Sequence, residues 1–279
     1  MMIQSQMNKV HVNGFDLHHL DLGKGDPVVM IHGGGATDYR TWAAVVDRFA
    51  ERYRVIVPSL RYHFPNEWLG DASDYTSETH AHDVAALIET LGLTPAHILG
   101  SSLGSIIAMM LAHERPDLVR TLVLGEPVFF GWMQKNTPTV DREEDFRSKM
   151  GFRQAALEGK YEESARLFAD GAIGSGAFDK MTELDRQKMV DNARLLTLPE
   201  EAFIRAESNF SREDARAITT PTLLLRGDSS PKQFLMANDE IAKEMPGAER
   251  AQIPHASHLL QGMNPQAYSD TVLSFLARN

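Results

Sequence analysis

The stretch Gly100-Ser101-Ser102-Leu103-Gly104 decides the fold of this chain, because its Gly-x-Ser-x-Gly spacing stands between two segments of opposite character. Before it, residues 97–99 form a short, mostly apolar run after the helix breakers Gly92 and Pro95, which predicts a buried strand. After it, residues 105–112 are apolar on nearly every face, which is typical of a helix buried against a sheet. The sequence therefore predicts a strand, a tight turn at Ser102 and a helix.

A serine in such a turn adopts a strained backbone conformation that exposes its hydroxyl. Glycines on both sides remove the side chains that would otherwise keep the strand and the helix apart. Gly-x-Ser-x-Gly also occurs by chance in glycine-rich loops, but the flanking strand and helix favour a catalytic serine. We therefore predict that Ser102 is a nucleophile.

The composition suits one α/β domain that carries an insertion. The chain has 279 residues, 43% of them hydrophobic, which allows a sizeable core. It has no cysteine, and hence no disulfide framework, thiolate metal site or cysteine nucleophile. No pair of histidines recurs with a carboxylate at metal-ligand spacing, so we expect neither a metal nor another cofactor.

The charge and the hydropathy of the chain restrict its partners. A formal net charge of −10 repels nucleic acid and anionic membranes. The first residues contain no apolar signal-peptide core, and no apolar run approaches the ~18 residues of a membrane span. We expect a cytoplasmic protein that binds a small-molecule substrate, without nucleic acid or membrane as a partner and with its oligomeric state left open.

Strand-like and helix-like segments alternate along the chain, which predicts a mostly parallel sheet covered by helices. A hairpin opens the chain, with Asn13-Gly14 as its turn. Strands are predicted at 10–12, 15–22, 28–31, 54–57, 97–99, 121–124, 222–225 and 251–253. Helices are predicted at 42–53, 77–91, 105–112, 231–244 and 268–276.

The strand pattern stops between the sixth and seventh strands. Residues 131–218 are rich in Glu, Arg, Ala, Lys and Met and predict several short helices. The economical interpretation is a helical cap over the carboxyl edge of the sheet, where ligands bind in open α/β sheets. The core domain would then comprise residues 1–130 and 219–279, although the same helices could also be ordinary flanking helices.

The serine turn, the glycines at 33–35 after the third strand and a late histidine occur here in one strand order. In this the sequence resembles the α/β-hydrolase family, over residues 10–130 and 219–279. The resemblance implies an eight-stranded sheet in which the nucleophile follows the fifth strand. It also implies an acid after the sixth or seventh strand and a catalytic histidine after the eighth.

Two histidines follow the eighth predicted strand. His258 comes after the small residues Ala256 and Ser257 and precedes the final helix, which matches the small-small-His pattern of the family. His255 is the alternative, and would otherwise be a polar loop residue. The resemblance therefore assigns His258 as the base that activates Ser102.

The acid departs from the commonest family pattern, Gly-x-x-Asp after the seventh strand, because Ser230 stands where that aspartate would be. Asp228 lies two residues earlier, roughly 6–7 Å along an extended chain. Glu126 ends the sixth strand, where haloalkane dehalogenases and certain resorcylic-lactone hydrolases carry their acid. The resemblance favours Glu126, with Asp228 as the alternative acid. Without that role, Glu126 would cap a helix or join a salt bridge, and Asp228 would be a turn residue.

The loop His32-Gly33-Gly34-Gly35 corresponds to the family loop that supplies half of an oxyanion hole. Glycines leave backbone N–H groups open to a substrate carbonyl oxygen. The resemblance makes Gly34 the donor on this loop, Gly35 a weaker candidate, and Leu103 the second donor. The loop lacks the spacing of nucleotide-binding glycine motifs.

Aromatic residues suggest an apolar substrate pocket. Tyr62 belongs to an aromatic loop, residues 61–68, at the sheet edge where the site should lie, although this loop could equally pack its own rings. Phe129 and Trp132 follow the sixth strand, where the cap should begin, and are better placed to face a substrate.

These features predict a cofactor-independent serine hydrolase that cleaves a carboxylic ester or lactone of modest size and apolar character. The same catalytic groups could instead hydrolyse a C–C bond of a diketone or transfer an acyl group. An epoxide hydrolase or dehalogenase is disfavoured, because the resemblance gives those enzymes an Asp at the turn. A small-molecule receptor with slow turnover is the alternative from another class.

Overall fold

One mostly parallel sheet forms the centre of the protein. The computed structural model describes residues 7–127, 151–173, 175–198 and 210–279. Within these residues the strands lie side by side in the order β1-β2-β4-β3-β5-β6-β7-β8. Strand β2 is antiparallel to both of its neighbours, and the remaining pairs are parallel. The strands are β1 Asn8–Val12, β2 Phe15–Gly23, β3 Pro27–Ile31, β4 Arg54–Pro58, β5 Ala96–Ser101, β6 Val119–Gly125, β7 Thr222–Gly227 and β8 Glu249–Ile253.

The sheet confirms the strands predicted from the sequence, including the opening hairpin. Asn13 and Gly14 both have positive φ angles, 44° and 84°, so the two-residue turn between β1 and β2 has the twist that a tight hairpin needs. The short apolar runs that read as buried strands are now seen to pair in parallel, with helices on both sides of the sheet.

Helices cover both faces of the sheet. Successive side chains of β3 point to opposite faces of the sheet. Val29 and Ile31 therefore belong to one apolar cluster, and Val28 and Met30 belong to the other. The first face is covered by α2 Ser77–Thr90 and α3 Leu103–Glu114, and the second by α1 Val46–Ala50 and the last helix, α10 Pro265–Leu276. This arrangement brings the carboxyl ends of the parallel strands to one open edge.

The helix predicted over 42–53 is shorter and divided in the structure. Asp38 accepts a hydrogen bond from the Arg40 amide and starts a separate 3-10 turn, Tyr39–Trp42, before α1. The predicted apolar face is nevertheless buried, with Trp42, Val46 and Phe49 at most 1% exposed. The periodicity therefore identified the buried side correctly, while the local side-chain cap decided the backbone.

The described residues between β6 and β7 are largely helical, and we refer to them as the inserted helices. Residues 151–157 are helical, and the further elements are α4 Tyr161–Ile173, α5 Ala177–Lys180, α6 Glu183–Asp191, a 3-10 turn Ala193–Thr197 and α7 Arg212–Ala217. Several of them share a small core with Ala36, in the loop after β3. The domain limits 1–130, 131–218 and 219–279 stay a prediction.

Three more helices complete the described chain, α8 Lys232–Glu244, the single turn α9 Leu260–Met263 and α10. Among the described residues, no helix combines the length and the apolar character needed to cross a membrane.

Candidate active site

Ser102 occupies a strained turn between β5 and α3, as the sequence predicts. Its backbone has φ 55° and ψ −118°, a combination that costs a non-glycine residue about 1–3 kcal/mol. Its amide donates a hydrogen bond of 2.8 Å to the carbonyl of Gly125 at the end of β6. Strand β5 ends at Ser101 and α3 begins at Leu103, so Ser102 stands alone at the carboxyl edge of the sheet.

The two flanking glycines let three backbones meet at this turn. A Cβ on Gly100 would lie 2.4 Å from the carbonyl oxygen of Gly104, at the start of α3. A Cβ on Gly104 would lie 2.2 Å from the carbonyl oxygen of Ile31, at the end of β3. Both distances are far below van der Waals contact, so only glycine fits at either position.

His258 and Glu126 meet at the same edge of the sheet. His258 lies in the loop after β8, and its Nδ1 is 2.9 Å from Oε2 of Glu126, the residue directly after β6. The carboxylate is completely buried, whereas the imidazole is 26% exposed. An ionised carboxylate only accepts hydrogen bonds, so Nδ1 is the donor of this pair.

The remaining carboxylate oxygen of Glu126 is also satisfied. Oε1 accepts a hydrogen bond of 2.8 Å from the amide of Gly227 and another from the hydroxyl of Ser230. A buried charge costs several kcal/mol unless it is hydrogen-bonded, and these donors offset that cost. Glu126 has a φ of 44°, and its backbone amide donates a hydrogen bond to the carbonyl oxygen of Leu225 in β7, which fixes its position.

Asp228, the alternative acid, holds a loop instead of an imidazole. Its carboxylate accepts hydrogen bonds from the amides of His255, at 2.9 Å, and Ala256, at 3.2 Å. The His255 amide is the main cause that keeps the pKa of Asp228 below its usual range. His255 itself is exposed and has a φ of 54°. The structure therefore brings Glu126, and not Asp228, to His258.

The glycine loop after β3 lies directly against the serine turn. A Cβ on Gly33 would lie 3.3 Å from the Cβ of Ser102, and one on Gly34 would lie 2.9 Å from Cδ2 of Leu103. The two predicted oxyanion donors, Gly34 and Leu103, are thus on adjacent segments. Gly35 has a φ of 69° and faces the inserted helices, because its Cβ would lie 3.1 Å from Cζ of Phe168 in α4.

His32 supports this loop in a way that the sequence did not reveal. Its Nε2 accepts a hydrogen bond of 3.0 Å from the amide of Leu60, so its Nδ1 donates to the carbonyl of Gly33, at 2.7 Å. Complete burial lowers the pKa of His32 to about 3, which keeps the ring neutral. His32 is therefore part of the scaffold of the loop and is fixed in one tautomer.

The structure corrects the prediction that Tyr62 lines the substrate pocket. Only 6% of Tyr62 is exposed, its ring packs against Trp68 and Tyr75 with centroids 5.1 Å and 6.3 Å away, and its hydroxyl donates to Asp74. The aromatic loop thus packs its own rings, because burying them together removes apolar surface from water. The other predicted pocket residues, Phe129 and Trp132, lie outside the described residues.

Two further side chains near His258 escaped sequence reasoning. The ring of Phe234 stacks on the imidazole of His258, with centroids 3.8 Å apart and an interplanar angle of 14°. Ser230 had been noted only as the residue in the usual place of the acid. Its separation of 104 residues from Glu126 leaves no local signal of their contact. Across the described ranges, no three acidic or histidine side chains form a metal-ligand group, and the absence of a cofactor stays a prediction.

Comparison with known proteins gives a consistent family. A family model described as the alpha/beta hydrolase fold matches residues 26–265. The chain is 28% identical to BpoC of Mycobacterium tuberculosis, which is named as a non-heme bromoperoxidase, over 94% of this chain and 98% of that protein. It is also 28% identical to the mouse sn-1-specific diacylglycerol lipase ABHD11, over 90% of this chain and 80% of that one.

Among solved structures, carboxylesterase CesB from Bacillus subtilis is similar with a TM-score of 0.76. The two chains are 20% identical, and the match covers 99% of this chain and 93% of that one. At this identity the likeness concerns the fold.

Proposed function

This chain belongs to the α/β-hydrolase family, and we propose that, as an enzyme of that family, it is a serine hydrolase that cleaves carboxylic esters or lactones. The observation that carries the proposal is the hydrogen bond of 2.9 Å between Nδ1 of His258 and the buried carboxylate of Glu126. It lies at the sheet edge that also carries Ser102. Such an orienting carboxylate keeps the other imidazole nitrogen available as a base.

In the proposed reaction, the hydroxyl oxygen of Ser102 attacks the substrate carbonyl carbon while Nε2 of His258 takes the hydroxyl proton. The tetrahedral intermediate collapses, the C–O bond of the ester breaks, and the imidazolium returns the proton to the leaving alkoxide. Water then repeats the sequence on the acyl-enzyme and releases the acid. Glu126 stays ionised throughout and stabilises the imidazolium that forms twice in each cycle.

The amides of Gly34 and Leu103 are the proposed oxyanion donors. Their residues are in contact, and the neutral His32 fixes the carbonyl of Gly33 beside them. Because these donors are held before the substrate arrives, they stabilise the developing charge without reorganisation. Removal of one such donor costs about 10²–10³ in kcat in a well-studied serine protease.

Ester cleavage is supported by the 28% identity to a protein named as an sn-1-specific diacylglycerol lipase. We propose an apolar substrate of modest size, because an apolar ring, Phe168, lies beside Gly35 at the proposed oxyanion loop. Diketone cleavage and acyl transfer use the same groups and remain the alternatives to be separated by assay.

The decisive experiment compares Ser102→Ala with the wild type on a panel of aryl esters, lactones and diketones. We expect wild-type turnover of esters or lactones, and a loss of at least about 10³-fold in Ser102→Ala, because the acyl-enzyme requires that hydroxyl. A fluorophosphonate probe should label the wild type and leave Ser102→Ala unlabelled. Ser101→Ala, which removes the neighbouring hydroxyl, serves as the matched control and should keep the label.

Retention of a tenth of the wild-type kcat by Ser102→Ala would overturn the proposal. Turnover of diketones alone would leave Ser102 as the nucleophile and move the substrate class to C–C bond hydrolysis.

A further inference from the structure

We infer that the turn from Gly227 to Phe234, which follows β7, positions the base and the acid of the active site: Ser230 acts through Glu126, and Phe234 acts through His258. This inference rests on the proposed function, because it gives these residues a role only if His258 is the base. Neither residue touches the reacting serine in the proposed reaction, so both are positioning residues.

Ser230 fixes the carboxylate of Glu126 in one orientation. Ser230 is 7% exposed, and its hydroxyl donates to Oε1, which also accepts a hydrogen bond of 2.8 Å from the Gly227 amide. A carboxylate oxygen accepts about two hydrogen bonds in its plane, so these donors occupy Oε1. Oε2 is then the oxygen that faces Nδ1 of His258, at 2.9 Å.

The hydroxyl of Ser230 donates a hydrogen bond to Glu126 and therefore stabilises the ionised form of this carboxylate. Because the ionised carboxylate cannot donate, the hydroxyl proton of Ser230 must point to Oε1, which makes this a charge-assisted hydrogen bond. The carboxylate of Glu126 is completely buried, so the loss of one of its hydrogen-bond donors is costly. Loss of the hydroxyl would therefore leave Oε1 with the Gly227 amide and let the carboxylate rotate away from His258.

Phe234 limits the motion of the imidazole itself. It lies in the first turn of α8, four residues after Ser230, and its ring is parallel to that of His258 within 14° at a centroid distance of 3.8 Å. A stacked aromatic face restrains rotation of the imidazole, and its negative quadrupole favours the imidazolium that forms during catalysis.

The turn is hydrogen-bonded to the loop that carries His258. The amide of Ser229 donates a hydrogen bond of 3.0 Å to the carbonyl oxygen of Ala256. The carboxylate of Asp228 accepts hydrogen bonds from the amides of His255 and Ala256. A Cβ on Gly227 would lie 2.2 Å from the same Ala256 carbonyl oxygen, so the two segments are in direct backbone contact. Ser230 and Phe234 are thus held at a fixed distance from the imidazole.

A double-mutant cycle tests the role of Ser230. We expect Ser230→Ala to lower kcat by about 10- to 100-fold with KM changed less than about threefold, the range expected for one lost charge-assisted bond. In a Glu126→Gln background the same substitution should cost less than about threefold, because its partner carboxylate is gone. Ser274→Ala, which removes an exposed hydroxyl on α10, is the matched control and should stay within about twofold of the wild type.

A merely structural role for Ser230 would instead give equal losses of kcat in both backgrounds, accompanied by a lower Tm. That result, or wild-type kcat in Ser230→Ala, would overturn the inference for Ser230. The low-field proton signal of a His258–Glu126 hydrogen bond gives an independent readout. It should shift or broaden in Ser230→Ala and stay unchanged in Ser274→Ala.

Phe234 is tested by Phe234→Leu and Phe234→Tyr. We expect Phe234→Leu to lower kcat by about 5- to 10-fold, since a stacked ring contributes of the order of one hydrogen bond, while Phe234→Tyr keeps the stack and stays within about twofold. Equal kcat for Phe234→Leu and the wild type would overturn this part. An active Ser102→Ala variant would overturn the proposed function itself. An inactive Ser102→Ala together with unchanged kcat in Ser230→Ala and Phe234→Leu would overturn only the role of the turn.

Discussion

At the scale of single residues, the proposed chemistry depends on a buried carboxylate whose two oxygens are both hydrogen-bonded. Glu126 has no contact with solvent, yet it accepts hydrogen bonds from a backbone amide, a hydroxyl and an imidazole. The carboxylate of Asp228, one residue beyond β7, accepts hydrogen bonds from two backbone amides at the surface. Two acidic residues near one edge of the sheet thus have different tasks because of what surrounds them.

We expect Glu126→Gln to lower kcat by about 10³–10⁴-fold, as loss of the orienting carboxylate does in serine proteases. The amide of Gln can present its NH₂ group to Nδ1 and so favour the wrong tautomer of His258. The measurement is kcat and KM on the best ester, with circular dichroism to verify the fold. Asp228→Asn, which keeps one acceptor for the loop amides, should lose less than about tenfold; the reverse ranking would assign the acid to Asp228.

At the scale of elements, the serine turn is a crossing of β3, β5 and α3 with no room for a side chain. The carbonyl oxygens of Ile31 and His32 would lie 2.2 Å and 2.5 Å from a Cβ at position 104. Both are backbone atoms of a central strand end and cannot move without breaking the sheet. The precision of the turn is therefore a property of three elements together.

Gly104→Ala should destabilise the protein by several kcal/mol, or prevent folding, because the added methyl group must displace backbone. Gly262→Ala is the matched control, since a Cβ at that position meets no atom within 4 Å. It should change the free energy of unfolding by less than about 1 kcal/mol, in either direction. Urea unfolding of both variants checks this, and equal stability of the two would contradict the packing described for the turn.

The inserted helices are joined to the core by buried polar groups. Asn192 donates to Asp38 at 2.6 Å, and Arg40 bridges Asp38 and Asp191 at 2.5 Å and 2.8 Å. Asp38 follows the glycine loop by three residues, so these contacts join the end of α6 to the segment after that loop. Removal of one partner would strand a buried charge, which typically costs 3–5 kcal/mol.

At the scale of the whole molecule, buried histidines link stability to pH. His32, His63 and His80 are completely buried in one cluster beside the site, with ring centroids of neighbours 4.6 Å and 6.4 Å apart. Burial is the main cause that lowers the pKa of each, to about 3 for His32 and well below 6.5 for the other two. The native state therefore excludes protons that the unfolded chain binds below pH 6.5.

The free energy of unfolding should be constant above about pH 7 and fall as the pH drops through 6.5. Each of the three histidines contributes a loss of about 1.4 kcal/mol between pH 7.5 and 5.5, or about 4 kcal/mol together, and His97, whose pKa burial lowers to about 4, adds a similar loss. Urea titrations at these two pH values measure the loss.

His80→Leu isolates one histidine, because neither ring nitrogen of His80 has a hydrogen-bond partner within the described parts of the chain. The loss between pH 7.5 and 5.5 should shrink by about 1.4 kcal/mol in this variant. An unchanged loss would show that His80 is protonated in the native state.

The sequence by itself determined the features that depend on neighbouring residues. The Gly-x-Ser-x-Gly turn, the two-residue hairpin and the short apolar runs all have signals within about ten residues, because backbone conformation and burial patterns are local. The eight strands and the family followed from them. The backbone conformation of residues 39–50 did not follow from the sequence, because the side chain of Asp38 caps a separate 3-10 turn there and overrides the helical periodicity.

Only the tertiary structure decided which groups meet at the site. Glu126 and His258 are 132 residues apart, and both acids were compatible with the sequence. The strand order β6-β7-β8 places the residue after β6 beside the turn after β7 and the loop after β8, so Glu126, Ser230 and His258 converge. Phe234 escaped prediction for the same reason: its contact with His258 depends on which strands are neighbours in the sheet, and no residue near either one along the chain records this.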